Sequence, residues 1–150
     1  MNRTPKLKLL GFYNYTVVLT YLGMLAGMLG VLYAFKENPY AAVICLMVAG
    51  FCDMFDGAVA STKKDRTEQE KTFGIQIDSL SDLVSFGVLP SILVFSINDG
   101  DGSLVKIISC AYVLCALIRL SYFNVDEMER QRTSAGHREM YLGMPVTLSA

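Results

Sequence analysis

The chain has 150 residues, 53% of them hydrophobic and 18% charged, with a mean hydropathy of +0.40 and no tryptophan. That length allows one compact domain, and so oily a composition excludes a soluble two-domain enzyme and points to burial against lipid as well as protein. The 13 basic and 14 acidic residues nearly cancel, to a formal charge of -1, which excludes the broad basic surface of a nucleic-acid-binding protein.

Leu9 to Phe35 is an uncharged run of 27 residues between Lys8 and Lys36. It exceeds the roughly 20 residues that a helix needs to cross about 30 Å of hydrocarbon. It is too long for a signal-peptide core and no small-x-small cleavage site precedes a polar mature start, so the segment is expected to remain in the mature protein. Three further stretches are long enough to cross: Tyr40 to Ala60, Phe73 to Ile97 and Leu104 to Val125, interrupted by Asp53, Asp56, Asp78, Asp82 and Arg119. Another apolar stretch opens at Leu142 and the sequence stops inside it at Ala150, so a missing carboxyl-terminal portion is expected. The expected fold is all-α, a polytopic membrane helix bundle of about five transmembrane segments with the last cut short, forming one domain over residues 1–150.

Lys and Arg gather before the first span (Arg3, Lys6, Lys8), between the second and third (Lys63, Lys64, Arg66, Lys71) and after the fourth (Arg130, Arg132, Arg138). The opposite side has Lys36 and Lys106. The positive-inside rule therefore places the amino terminus and both basic loops on the cytoplasmic side of the cell membrane, and the short connections at Lys36 to Pro39 and Asn98 to Ser103 outside. Cys45, Cys52, Cys110 and Cys115 lie in apolar stretches without CxxC spacing and are expected to be reduced, buried small hydrophobes. Gly23 and Gly27 form a GxxxG pair followed by Gly30. Close packing within the chain is the plainer expectation and a homodimer face the alternative.

Asp53 and Asp56 are three apart and Asp78 and Asp82 four apart, so each pair falls on one face of a helix. The second span carries its pair near the cytoplasmic end and the third just after it, which puts both pairs at one depth. Four carboxylates facing one another there would repel and lose hydration unless cations neutralised them, and two divalent ions are the economical answer. Carboxylate oxygens suit magnesium, manganese or calcium, and the absence of His or Cys pairs nearby argues against zinc. Two oxygen-ligated ions serve phosphoryl chemistry by neutralising a diphosphate. A divalent-cation transport path could use the same carboxylates and stands as an alternative from a different class.

Gly57 follows Asp56 directly, Ala60 comes three later, and Gly74 precedes Asp78 by four. Small residues beside metal-binding aspartates leave room for a large ligand such as a nucleotide. The pattern Asp53-x-x-Asp56-Gly57-x-x-Ala60 with Gly74-x-x-x-Asp78-x-x-x-Asp82 resembles the signature of the CDP-alcohol phosphotransferases, integral membrane enzymes of phospholipid synthesis. Two departures accompany it: Ser61 stands where that family has Arg, and the loop before Gly74 is longer than usual. The stretch from Phe73 to Pro90, with Ile118 to Val125 and Tyr141 to Thr147, resembles the membrane-embedded bacterial phosphatidylserine synthases within the family.

The resemblance implies a metal-dependent transfer of a phosphatidyl group from CDP-diacylglycerol to L-serine, giving phosphatidylserine and CMP. It implies that Asp53, Asp56, Asp78 and Asp82 hold Mg2+ or Mn2+, that Asp82 is the catalytic base, and that Gly57, Ala60, Ser61 and Gly74 lie along the nucleotide. The nearest alternative is another family member that uses glycerol phosphate or inositol phosphate as acceptor. Arg119 is a candidate for the serine carboxylate or a lipid phosphate through a bidentate contact, against simple snorkelling to the interface. Ser79, Ser81 and Ser85 have no base beside them and are expected to serve helix packing. His137, in a polar loop, is expected to be solvated.

Overall fold

The structure, a computed structural model, describes residues 15–62, 67–98 and 102–133. Among these residues there is no strand. Helix α1 spans Tyr15–Phe35, α2 Pro39–Thr62, α3 Glu68–Asp82, α4 Leu89–Ile97 and α5 Ser103–Thr133, and a π-helical turn, Leu83–Val88, joins α3 to α4. Val17–Phe35, Pro39–Val59, Glu68–Ile97 and Ser103–Glu129 are each long and apolar enough to cross a membrane. The expected stretches at Leu9 to Asn14 and beyond Leu142, the loop residues Lys63, Lys64 and Arg66, and His137 lie outside the described residues.

Two boundaries differ from expectation. The third span begins at Glu68 rather than Phe73, because Thr67 accepts from the Glu70 N–H at 3.2 Å while its own N–H donates to Glu70 Oε2 at 3.1 Å. That reciprocal capping box satisfies two backbone donors and starts the helix a turn early. The fourth runs on to Thr133, and its 31 residues make a helix about 46 Å long at 1.5 Å per residue. Its last turns therefore extend beyond the hydrocarbon.

The α1–α2 connection is tight because its N–H groups fold back onto the end of α1. Glu37 takes φ 56, and the N–H groups of Lys36, Glu37 and Asn38 return to carbonyls of Tyr33 and Ala34. Asn38 Oδ1 then caps α2 by accepting from the Ala41 N–H at 3.2 Å, with Pro39 preset at the first helical position.

Helix α1 packs against α2, α3, the π turn and α4, while α5 covers α3, the π turn and α4 from the other side. Val31, Ala34, Ala42, Leu89 and Leu93 form one apolar cluster, and Phe86 with Ala116 another. The glycines of α1 make the close approach possible. A Cβ on Gly23 would lie 3.2 Å from Cys52, and one on Gly27 would collide with the Ser85 hydroxyl. Both positions are therefore used for packing within the chain, as the plainer reading of the GxxxG pair expects. All four cysteines are free, but Cys52 alone is buried, and Cys110 and Cys115 are exposed on α5. The expectation that all four are buried fails because α5 touches the bundle along one side only, and a thiol is apolar enough to face lipid.

Pro90 has no N–H to offer the carbonyl four residues before it, that of Phe86. The Tyr112 hydroxyl of α5 donates to that oxygen at 3.0 Å. Within the turn, the Leu89 N–H reaches back five residues to Val84 O, the bonding that defines a π turn.

Candidate active site

Thr20 near the start of α1, Asp53 and Asp56 near the end of α2, and Asp78 and Asp82 in α3 meet at one end of the bundle, opposite the α1–α2 turn. Carboxylate oxygens of Asp53, Asp78 and Asp82 lie within 4.8 Å of one another. Asp53 is within hydrogen-bonding reach of Asp82, and Asp56 of Asp78. At about 4–5 Å two like charges repel by about 3–4 kcal/mol even at an effective dielectric of about 20. Among the described residues no lysine or arginine pairs with any of the four.

Asp56 differs from the other three in what holds it. It is buried, and its Oδ2 accepts from Thr20 Oγ1 at 3.0 Å. Thr20 is held in turn, its carbonyl accepting from Ser81 Oγ at 3.4 Å. This three-helix chain of contacts fixes Asp56 without a cation. All four aspartates nonetheless line one small cavity, together with Thr20, Gly23, Ser81, Ser85 and Phe86.

The donor set fits a hard divalent cation. Three carboxylates converge from two helices with neither His nor Cys in the group, and oxygen-only ligation of this kind selects magnesium, manganese or calcium over zinc. Beside it, Gly57 opens onto free space: a Cβ there would meet nothing within 4 Å. Ala60 and Ser61 continue α2 one turn further, and Gly74 sits one turn before Asp78 in α3.

Arg119 does not line the carboxylate cavity. Its guanidinium stacks over the Phe123 ring, 5.2 Å from the centroid, and its Nε and Nη2 are buried without a hydrogen-bond partner in the protein. Those two nitrogens do not snorkel to water. Five residues on, Asn124 Oδ1 accepts from Ser79 Oγ at 2.6 Å, which ties α5 to α3 directly beside Asp78. Ser79 and Ser81 thus pack helices as expected, while Ser85 Oγ has no partner. Thr20 was not singled out as a site residue from sequence. The available signal was a hydroxyl in an oily span at the end where the aspartates lie, and threonine in a helix ordinarily bonds its own backbone.

Comparison with known proteins adds the family. The sequence profile of the CDP-alcohol phosphatidyltransferase family matches residues 13–147. A CDP-diacylglycerol-serine O-phosphatidyltransferase of Mycobacterium bovis is 27% identical over 88% of this chain and 44% of its own length. One of Bacillus subtilis is 29% identical over 89% of this chain and 70% of its own. An archaetidylserine synthase of Methanothermobacter thermautotrophicus is 32% identical over 95% and 57%. The chain therefore spans about half the length of most of these relatives. No solved structure gives a significant match. The family is divalent-metal dependent, in keeping with an acidic group able to hold an ion. With four helices among the described residues long and apolar enough to cross a membrane and a family match over nearly its whole length, the chain is an integral membrane protein of the CDP-alcohol phosphatidyltransferase family.

Proposed function

We propose that this chain carries the catalytic centre of an enzyme that transfers a phosphatidyl group from CDP-diacylglycerol to L-serine, releasing CMP. The observation that carries the reading is the convergence of Asp53, Asp78 and Asp82 within 4.8 Å beside the open face at Gly57. The names of the Mycobacterium and Bacillus relatives supply the acceptor.

In this reading Asp53, Asp78 and Asp82 hold Mg2+ or Mn2+, with two ions accommodated when Asp56 joins them. A divalent ion held there would supply positive charge to the diphosphate of the CDP-lipid and to the leaving phosphate oxygen. Thr20 orients Asp56 by its hydrogen bond, leaving the other carboxylate oxygen free for the cavity. Gly57, Ala60, Ser61 and Gly74 leave the volume that the cytidine occupies. Asp82 accepts the serine hydroxyl proton as that oxygen bonds to the lipid-linked phosphorus, and the bond from phosphorus to the CMP oxygen breaks. Arg119, with buried and unpartnered nitrogens, binds an anionic group of the acceptor or of a lipid. The centre opens to the cytoplasm of the cell membrane, where serine is supplied.

The test is incubation of the purified protein with CDP-diacylglycerol, magnesium or manganese and labelled serine. CMP together with a serine lipid is expected. CMP released only when glycerol phosphate or inositol phosphate replaces serine would move the chain to another branch of the family. Ion flux across vesicles without any CMP would favour a transporter.

A further inference from the structure

We infer that the Ser85 hydroxyl is a further positioning group of this centre, donating a hydrogen bond to an oxygen held between the carboxylates: water on a divalent cation, or a phosphate oxygen. The inference rests on the reading that Asp53, Asp78 and Asp82 hold such a cation. Ser85 is 2% exposed, lines the carboxylate cavity, and its Oγ has no partner. Neighbouring serines behave otherwise. Ser81 donates to Thr20 O, and Ser91 and Ser109 donate to each other's carbonyls.

An unpaired buried hydroxyl is costly, and alanine would fill the same shape without it. Yet space for this hydroxyl is kept: Gly27 lacks the Cβ that would strike it, and the π turn that follows Asp82 carries Ser85 to the same cavity. Carboxylates only accept hydrogen bonds. Of the hydroxyls lining the cavity, that of Thr20 is committed to Asp56 and that of Ser81 to a carbonyl. Ser85 is thus the uncommitted donor among the described residues around it, and what it can serve is an oxygen brought in by the ligand.

Mn2+ affinity of the detergent-purified chain, measured by electron paramagnetic resonance with and without CDP, tests this beside the thermal midpoint of the metal-free protein. Ser85→Ala is expected to weaken Mn2+ binding about tenfold, the scale of one hydrogen bond to a charged group, with the metal-free midpoint unchanged or raised. Weakening with Mn2+ alone identifies bound water as the acceptor; weakening only with CDP present identifies phosphate. Ser91→Ala, at the far side of the π turn, is expected to lower the midpoint and leave Mn2+ affinity unchanged. Wild-type affinity for Ser85→Ala in both arms would overturn the inference, as would a fall in affinity matched by a fall in the metal-free midpoint. Absence of Mn2+ binding by the wild-type chain would instead overturn the carboxylate reading, and this inference with it.

Discussion

Asp82 and Asp56 occupy one cavity but differ in their attachments, and that difference predicts different consequences of the same substitution. Asp82 belongs to the cluster of three and has no hydroxyl donor among the described residues, whereas Asp56 accepts from Thr20. Asp82→Asn removes the proposed base and is expected to reduce turnover about a hundredfold or more, while CDP-diacylglycerol binding persists; near-normal turnover would place the base elsewhere. Asp56→Asn should impair binding of both metal and nucleotide. Gly57 allows a steric test, because a Cβ there meets no protein atom and the fold tolerates bulk. Gly57→Leu should therefore leave the thermal midpoint near wild type and abolish CDP-lipid binding. Wild-type affinity would show that the cytidine lies on another face.

The π turn is the element with the most specific consequence. It follows Asp82 immediately and leads to Pro90, so it joins the acidic half of the third span to its apolar half at a point where the ladder lacks one donor. Tyr112 supplies that donor from α5. Tyr112→Phe keeps the ring and removes the hydroxyl, leaving Phe86 O without it. The expected cost is about 1–3 kcal/mol, read as a lower thermal midpoint in detergent. A midpoint equal to wild type would mean that the turn satisfies its own carbonyl.

At the scale of the whole molecule, the ends of α2 and α5 and the starts of α1 and α3 share one side, and the carboxylates lie toward it. In the sequence, the basic loop with Lys63, Lys64 and Arg66 lies between the end of α2 and the start of α3. Attraction to anionic inner-leaflet lipids would hold such a loop at the cytoplasmic surface. Single cysteines at Lys64 and Asp101, in a chain freed of its four natural cysteines, should label on opposite membrane faces. An impermeant reagent is expected to reach position 101 alone in intact cells; the reverse pattern would invert the orientation. Chelation should stop CMP release, and magnesium or manganese should restore it. Full activity in excess chelator, with no metal in the protein, would exclude the metal-dependent mechanism.

The four described spans and their order were legible from the sequence, because lipid gives every predominantly apolar run of sufficient length the same solution, a helix that satisfies its own backbone. The aspartate spacing was legible for a similar reason: a period of 3.6 assigns residues three or four apart to one face whatever surrounds them. Neither rule reaches across helices. That Asp53 joins Asp78 and Asp82 while Asp56 is tied to Thr20, that Gly27 makes room for the Ser85 hydroxyl, and that Tyr112 serves a carbonyl beside Pro90 all depend on how far each helix is rotated and how deeply it sits against its neighbours. Packing of small residues between helices sets those rotations, and it is a property of pairs of surfaces rather than of any one segment. The sequence alone determined the spans and the chemical character of the site. The tertiary structure decided which side chains share the work there.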